Sequence, residues 1–303
     1  MGGRSAEREI SLLSGSEVLR ALRTIGYEAE ALDFDERFFD GIRDFAPNAV
    51  FIALHGSGGE DGHIQGLLEY LAIPYTGSGL EASALAMDKH LTKKLLAAEG
   101  LPTPVWDLFD LTGGTLPLLP GSLDLPLVIK PRFEGSSTGV TIVHTHEEWT
   151  NAMLEASKSY AQILAEEYVT GREFTCAILG EEALPVVEVV ANRDGYNSYE
   201  AKYEPGGSTH VAPAKIDEDL TARLQMLALS AHRLIGLRDY SRSDFIVTRD
   251  RRPYILEINS LPGLTQRSLV PDACAAAGIG FEALVERLVA YALARAELRD
   301  AVA

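Results

Sequence analysis

Cysteine is almost missing from this chain of 303 residues: there are two, Cys176 and Cys274, with no CxxC spacing. That argues against a disulfide framework or a zinc site and makes a reducing compartment the expectation. Long apolar runs are missing too. The longest charge-free stretch, between Asp44 and Glu60, has 15 residues with one Pro and three Gly, too short and too broken to span a bilayer. Positive charge is scarce, with 27 Lys and Arg against 44 Asp and Glu and a net charge of −17. Such a surface repels a nucleic-acid backbone, so a polyanionic ligand has to be held by a few local cations. No basic-then-apolar leader opens the chain, and position 6, where a myristoylation signal needs a hydroxyl, is Ala6. The expectation is a cytoplasmic protein that neither spans nor anchors to a membrane.

What is present is ordinary globular material. Hydrophobic residues make up 46% and charged ones 23%, enough for a sizeable core. The length suits about two domains at ~150 residues each. Helices are expected over Ser11–Ile25 and Gly62–Leu71, with another beginning at Ala82, around a buried parallel strand at Ala49–Leu54. This alternation reads as an α/β layer. Pro102, Pro104, Pro117, Pro120 and Pro126 then mark a linker or excursion. Beyond it, strands are expected at Leu127–Lys130, Ile163–Val169, Phe174–Leu179, Pro185–Val190, Asp244–Thr248 and Tyr254–Ile258. Helices fall at Glu147–Ser157, Asp217–Leu234 and Phe281–Leu298. The second half therefore reads as α+β.

Four stretches can carry chemistry. Lys130-Pro131-Arg132-Phe133-Glu134-Gly135-Ser136-Ser137-Thr138-Gly139 puts a lysine and a Gly/Ser-rich loop after a buried strand. Its small residues would let backbone N–H groups approach phosphate, although the Walker ending is lacking and a polar hairpin reads equally well. Gly77-Ser78-Gly79 resembles a dinucleotide fingerprint, but about 20 residues on there is only Glu99, inside a helical run, so a turn entering a helix fits better. Glu257 and Asn259, two apart on one strand, share a face. The turn around Asp250–Pro253 would bring Asp244 beside them. Two carboxylates and an amide oxygen suit a hard cation such as Mg²⁺ bridging phosphates; the alternative is a strand edge with solvated acids. Pro262-Gly263 just beyond exposes backbone N–H groups that could bind an oxyanion, or is simply a turn. His144 and His146 read as surface residues.

In this order, the pieces resemble the D-alanine–D-alanine ligases of the ATP-grasp superfamily over essentially the whole chain. The matching stretches are Gly2–Ser11, Ala53–Gly66, Tyr75–Lys89, Lys130–Gly139, Tyr199–Tyr203 and Arg242–Leu269. The resemblance implies a Rossmann-like N-terminal domain (residues 1–85), followed by a two-part ATP-grasp fold (86–175 and 176–303). It implies ATP, two Mg²⁺ or Mn²⁺ ions, D-alanine as the small-molecule substrate and a homodimer. The activity implied is formation of D-alanyl-D-alanine for peptidoglycan precursors through an acyl phosphate. Two other readings remain: a depsipeptide ligase taking D-lactate, which the sequence around Glu200-Ala201-Lys202-Tyr203 speaks against, and a nucleotide-binding protein without turnover.

Site residues follow from the same resemblance. Lys89, Lys130 and Lys202 correspond to phosphate-binding lysines, Glu166, Glu167 and Val169 to the adenine hinge, and Glu173 to the ribose carboxylate. Asp244, Glu257 and Asn259 correspond to the Mg²⁺ ligands. Glu7 corresponds to the residue holding the first substrate's ammonium, with His55 beside it. Arg242 and the Gly263 N–H correspond to an oxyanion clamp, and Ser268 and Leu269 to the site of the second substrate's carboxylate. Ser136 and Tyr203 correspond to a hydrogen-bonded bridge that closes over the reactants. Two departures stand out. The family has a β-strand before the Gly-Gly turn, where this sequence opens directly with Met1-Gly2-Gly3, which puts the aim of Glu7 in question. Ser243 also stands where an apolar residue is usual.

Overall fold

In the computed structural model, residues 1–114, 116–191 and 207–302 are described. The first third carries α1 (Arg8–Thr24), α2 (Phe38–Phe45), α3 (His63–Tyr70), α4 (Leu80–Met87) and α5 (Lys89–Ala98). Gly79 stands at the N-cap of α4, so the Gly77-Ser78-Gly79 stretch is the turn into a helix that its sequence suggests. Asp88 caps α5 by accepting from the His90 and Leu91 amides, a strong N-terminal signal.

Between these helices the expected parallel strand at Ala49–Leu54 does not become a ladder. Val50 makes a single parallel bridge to Tyr75. Hydroxyls then replace the neighbouring strand. Thr76 Oγ1 accepts from the Ile52 amide at 3.1 Å, Ser11 Oγ donates to the Ala53 carbonyl at 2.6 Å, and Ser5 Oγ donates to the His55 carbonyl at 2.8 Å. Buried backbone groups need partners, and side chains supply them here. At the start of the chain the Met1 ammonium donates to the Leu32 carbonyl, and the Phe34 amide donates to the Met1 carbonyl. The residues before α1 are thus tied into the body of the protein.

Two antiparallel sheets follow. The first contains β1 (Trp106–Asp110), β2 (Leu127–Pro131), β3 (Thr141–Val143) and β4 (Gln162–Glu167), in the order β1-β4-β2-β3. Helix α6 (His146–Ala156) covers it with Trp149 and Met153. Strand β1 lies inside the proline-rich stretch that reads as a linker. It is an edge strand, where flanking prolines cost no ladder bonds.

The second sheet runs β10-β9-β5-β7-β8, with β6 paired to β5. Its strands are β5 (Arg172–Leu179), β6 (Glu182–Ala183), β7 (Val187–Ala191), β8 (Ser208–Val211), β9 (Tyr240–Val247) and β10 (Pro253–Asn259). Strand β9 begins at Tyr240, well before the expected start at Asp244, because Ser241 and Ser243 are polar in sequence yet wholly buried. Three helices complete the fold: α7 (Glu218–Ile235), α8 (Leu269–Ala276) and α9 (Phe281–Val302). Strand β5 serves two cores by alternation. Phe174, Cys176 and Ile178 pack with Leu224, Leu227 and Ala231 of α7. Ala177 and Leu179 enter a core shared with Val18 of α1, Leu68 of α3, Val270 of α8 and Leu284 of α9. That shared core fastens the first third to the second sheet. Among the described residues, no helix is long and apolar enough to cross a membrane.

Candidate active site

Strands β9 and β10 pair so that Asp244 lies opposite Glu257 and Arg242 opposite Asn259. Directly opposed residues of an antiparallel pair point to the same face, so all four side chains converge. Arg242 grips Asp244 through two hydrogen bonds of 2.7 Å, and the Asn259 amide nitrogen donates to Asp244 at 3.2 Å. A bulge between Ile255 and Glu257 lets neighbouring Leu256 and Glu257 both line the cleft described next.

That cleft, of about 150 Å³, lies between the two sheets. Lys89, Lys130, Glu166, Glu167, Val169 and Glu173 line it, with the Gly135–Thr138 loop at one side and apolar Val128, Ile142, Ile246 and Leu256. Lys130 Nζ meets Glu166 Oε1 at 2.6 Å, and Lys93 Nζ meets Glu166 Oε2 at 3.0 Å. Burial would push the Glu166 carboxyl up, but the two lysines outweigh it and hold it below its ordinary value. Lys89 donates to the Glu134 carbonyl. Burial pulls its ammonium below the usual lysine range, against the opposing pull of Glu257.

A wider cavity, of about 550 Å³, opens beside the cleft and shares Gly135, Glu173, Asp244 and Glu257 with it. Glu7, His55, Ser136, Arg242, Asn259, Gly263, Ser268 and Leu269 line it. Ser136 Oγ donates to Glu7 Oε2 at 2.7 Å. His55 is buried, with Nδ1 3.2 Å from Glu60 Oε1 and Nε2 3.0 Å from Ser14 Oγ. Burial, reinforced by Glu60, raises the Glu7 carboxyl above its ordinary value. A Cβ on Gly135 would lie 2.7 Å from Glu7 Oε1, so glycine is what admits that carboxylate. Ser136 and Ser137 follow with φ of 50° and 58°, a left-handed pair costly for non-glycine residues. Ser268, at the N-cap of α8, turns its hydroxyl to the Thr265 amide at 3.1 Å.

Comparison with known proteins decides the family. A family model described as D-ala D-ala ligase C-terminus matches residues 95–290, and one described as D-ala D-ala ligase N-terminus matches residues 40–78. The D-alanine--D-alanine ligase of Moorella thermoacetica is 43% identical, covering 97% of both chains. The chain belongs to the D-alanine–D-alanine ligase family. The ligase of Geotalea uraniireducens is 44% identical over 96% of this chain and 94% of its own. Among solved structures, the Bacillus anthracis D-alanine--D-alanine ligase complexed with ATP superposes with a TM-score of 0.85 at 30% identity. That match covers 99% of this chain and 97% of the other.

Every ligase-family residue expected from sequence that falls among the described residues lines one of the two cavities. Lys202 and Tyr203 lie outside the described residues. Sequence reasoning did not single out Glu60, Glu134 or Lys93. Glu60 had a local signal, a carboxylate five residues after His55 in a glycine-rich loop. Among the described residues, no three His, Cys, Asp or Glu side chains gather as a ready-made metal site. Asp244, Glu257 and Asn259 instead offer two carboxylates and an amide, a donor set that fits Mg²⁺ completing its shell with water and phosphate oxygens.

Proposed function

We propose that this chain joins two D-alanine molecules at the expense of ATP, through an acyl phosphate of the first, giving D-alanyl-D-alanine for peptidoglycan precursors. The observation that carries this reading is the meeting of two cavities across a shared rim of Glu173, Asp244 and Glu257. The cleft has lysines and apolar walls suited to a nucleotide; the cavity has an anion, a guanidinium and a helix N-terminus suited to amino acids.

Adenine lies against Val169 and the Glu166–Glu167 edge, Glu173 takes the ribose, and Lys89 and Lys130 take phosphate oxygens. Lys202 and Tyr203, beyond the described residues, keep the roles the family resemblance gives them. Asp244, Glu257 and Asn259 would hold two Mg²⁺ or Mn²⁺ ions, which supply neutralisation of phosphate charge. Arg242 and Asp244 satisfy each other in the substrate-free protein; Arg242 would be free to turn to a phosphate once Asp244 served as a metal ligand. Glu7 holds the ammonium of the first D-alanine, and that cation lowers the carboxyl that burial raises. A carboxylate oxygen of this substrate attacks the γ-phosphorus and ADP leaves. The free amine of the second D-alanine, its carboxylate at Ser268 and the start of α8, attacks the acyl carbon. Arg242 and the Gly263 N–H bear the oxyanion, phosphate departs, and the amine loses its proton. Ser136 keeps the Gly135–Thr138 loop against Glu7, which limits water at the acyl phosphate.

A division into residues 1–85, 86–175 and 176–303, with a Rossmann-like first part, belongs to this reading. Parallel contacts at Met1 and Val50 support that first part. A homodimer working in the cytoplasm belongs to it as well. The test is phosphate release from ATP with D-alanine supplied, alongside the product. One phosphate for each dipeptide supports the reading. A depsipeptide formed preferentially from added D-lactate would replace it with the D-lactate variant, and ATP binding without turnover would leave a binding protein.

A further inference from the structure

Lys93 is 1% exposed and does not line either cavity. A lysine so deeply buried is costly unless it is paired and hydrogen-bonded. Three neighbours account for it. Its Nζ lies 3.0 Å from Glu166 Oε2, donates to Thr103 Oγ1 at 2.6 Å, and sits 5.2 Å from the centre of the Trp106 ring. The Thr103 hydroxyl in turn donates to the Ile255 carbonyl at 2.9 Å, just before the β10 bulge. Glu166 is thus flanked by two lysines: Lys130 from the cleft donates to Oε1, and Lys93 from behind forms an ion pair with Oε2.

The charge arithmetic gives Lys93 a purpose. Lys130 and Glu166 alone form a neutral pair, and a phosphate arriving at Lys130 would meet the Glu166 anion close behind it. With Lys93 in place the trio carries one net positive charge, and the only member of it in reach of a phosphate is Lys130. In a poorly solvated interior one uncompensated charge has a large effect on an anionic ligand. We propose that Lys93 is a positioning residue for nucleotide binding: by neutralising Glu166 from behind, it leaves the charge of Lys130 available to the ATP phosphates. This rests on the reading of Lys130 as a phosphate ligand.

The test compares ATP with adenosine, which lacks phosphates, by calorimetry on the full chain. Lys93→Met keeps the length of the side chain and leaves Glu166 paired to Lys130, so folding is retained. Its dissociation constant for ATP is expected to rise about tenfold or more, with that for adenosine unchanged. Adding Glu166→Gln to Lys93→Met removes the anion as well, and is expected to recover most of the lost ATP affinity relative to adenosine. If Lys93 serves only to pack the cleft, adenosine loses the same factor as ATP and the double variant recovers nothing; either result overturns the proposal. ATP affinity like wild type in Lys93→Met overturns it too. The parent reading is checked separately by Lys130→Met. If that variant binds ATP normally, Lys130 is no phosphate ligand; if it binds weakly while Lys93→Met does not, only the present proposal fails.

Discussion

The cleft and the cavity share a rim, yet they are built from very different spans of chain. The cleft draws every lining residue from the span Lys89 to Glu257. Lys89, Lys130 and Glu166 stand on one side, with Lys130 paired to Glu166, and Glu173, Asp244, Ile246, Leu256 and Glu257 of the second sheet on the other. The cavity brings together Glu7, His55, Ser136, Arg242 and Ser268 from remote segments. Its key hydrogen bond, Ser136 to Glu7, spans 129 positions. A site confined to that span needs nothing from the chain before Lys89. A site made from remote segments depends on how the first third docks on β5, through the core of Val18, Leu68, Ala177 and Leu284. Nucleotide binding should therefore be the sturdier function and amino-acid binding the more easily lost.

The largest effect should come from the rim, where the two sites cannot be separated. Glu257→Gln removes one of two carboxylates from the proposed cation set, and turnover should fall by about a hundredfold or more. Thermal melting should show the fold intact. D-alanine-dependent phosphate release at the wild-type rate would take Glu257 out of the chemistry.

A smaller change should separate the two sites. Gly135→Ala puts a Cβ 2.7 Å from Glu7 Oε1, forcing the carboxylate to move. Misplacement on this scale costs about ten- to a hundredfold, and it should appear in the KM for the first D-alanine more than in the KM for ATP. Equal changes in both would show that the loop, and not Glu7, is what the methyl disturbs.

The mildest test concerns stability. Burial and Glu60 raise the Glu7 carboxyl in the folded protein. A carboxyl raised on folding favours the folded state at pH below its unfolded value. That contribution is lost as pH rises through the raised folded value. At pH above that raised value the ionised Glu7 is therefore a burden on the substrate-free protein. Glu7→Gln should melt higher than wild type at alkaline pH, and the gap should close on acidification. A gap independent of pH would show that the strain there is steric.

Much of this was readable in sequence where the pattern was local. The face shared by Glu257 and Asn259 follows from their two-residue spacing, and the partnership with Asp244 from the short turn between β9 and β10. Strand β1 was hidden by its flanking prolines, and the start of β9 by buried serines whose polarity reads as exposure. The run Ala49–Leu54 reads as a strand because it is apolar; that Thr76, Ser11 and Ser5 would take over its hydrogen bonding is a tertiary fact no window of sequence contains. Lys93 was passed over for the same reason. On a helix a lysine reads as solvated, and only the fold shows Glu166 waiting for it.

The bulge at Leu256 has a genetic consequence. Ile255 pairs with Phe245 and Glu257 with Asp244, leaving Leu256 without an opposite number. A deletion of one codon inside a strand ordinarily turns every later side chain to the wrong face. Removing Leu256 would instead leave a regular ladder with Glu257 and Asn259 still facing Asp244 and Arg242, and one of the four apolar side chains of the cleft wall would be lost. Strand β10 thus contains a single codon whose loss the fold can absorb, and there the toll would fall on the wall of the cleft and spare the face that Asp244, Glu257 and Asn259 share.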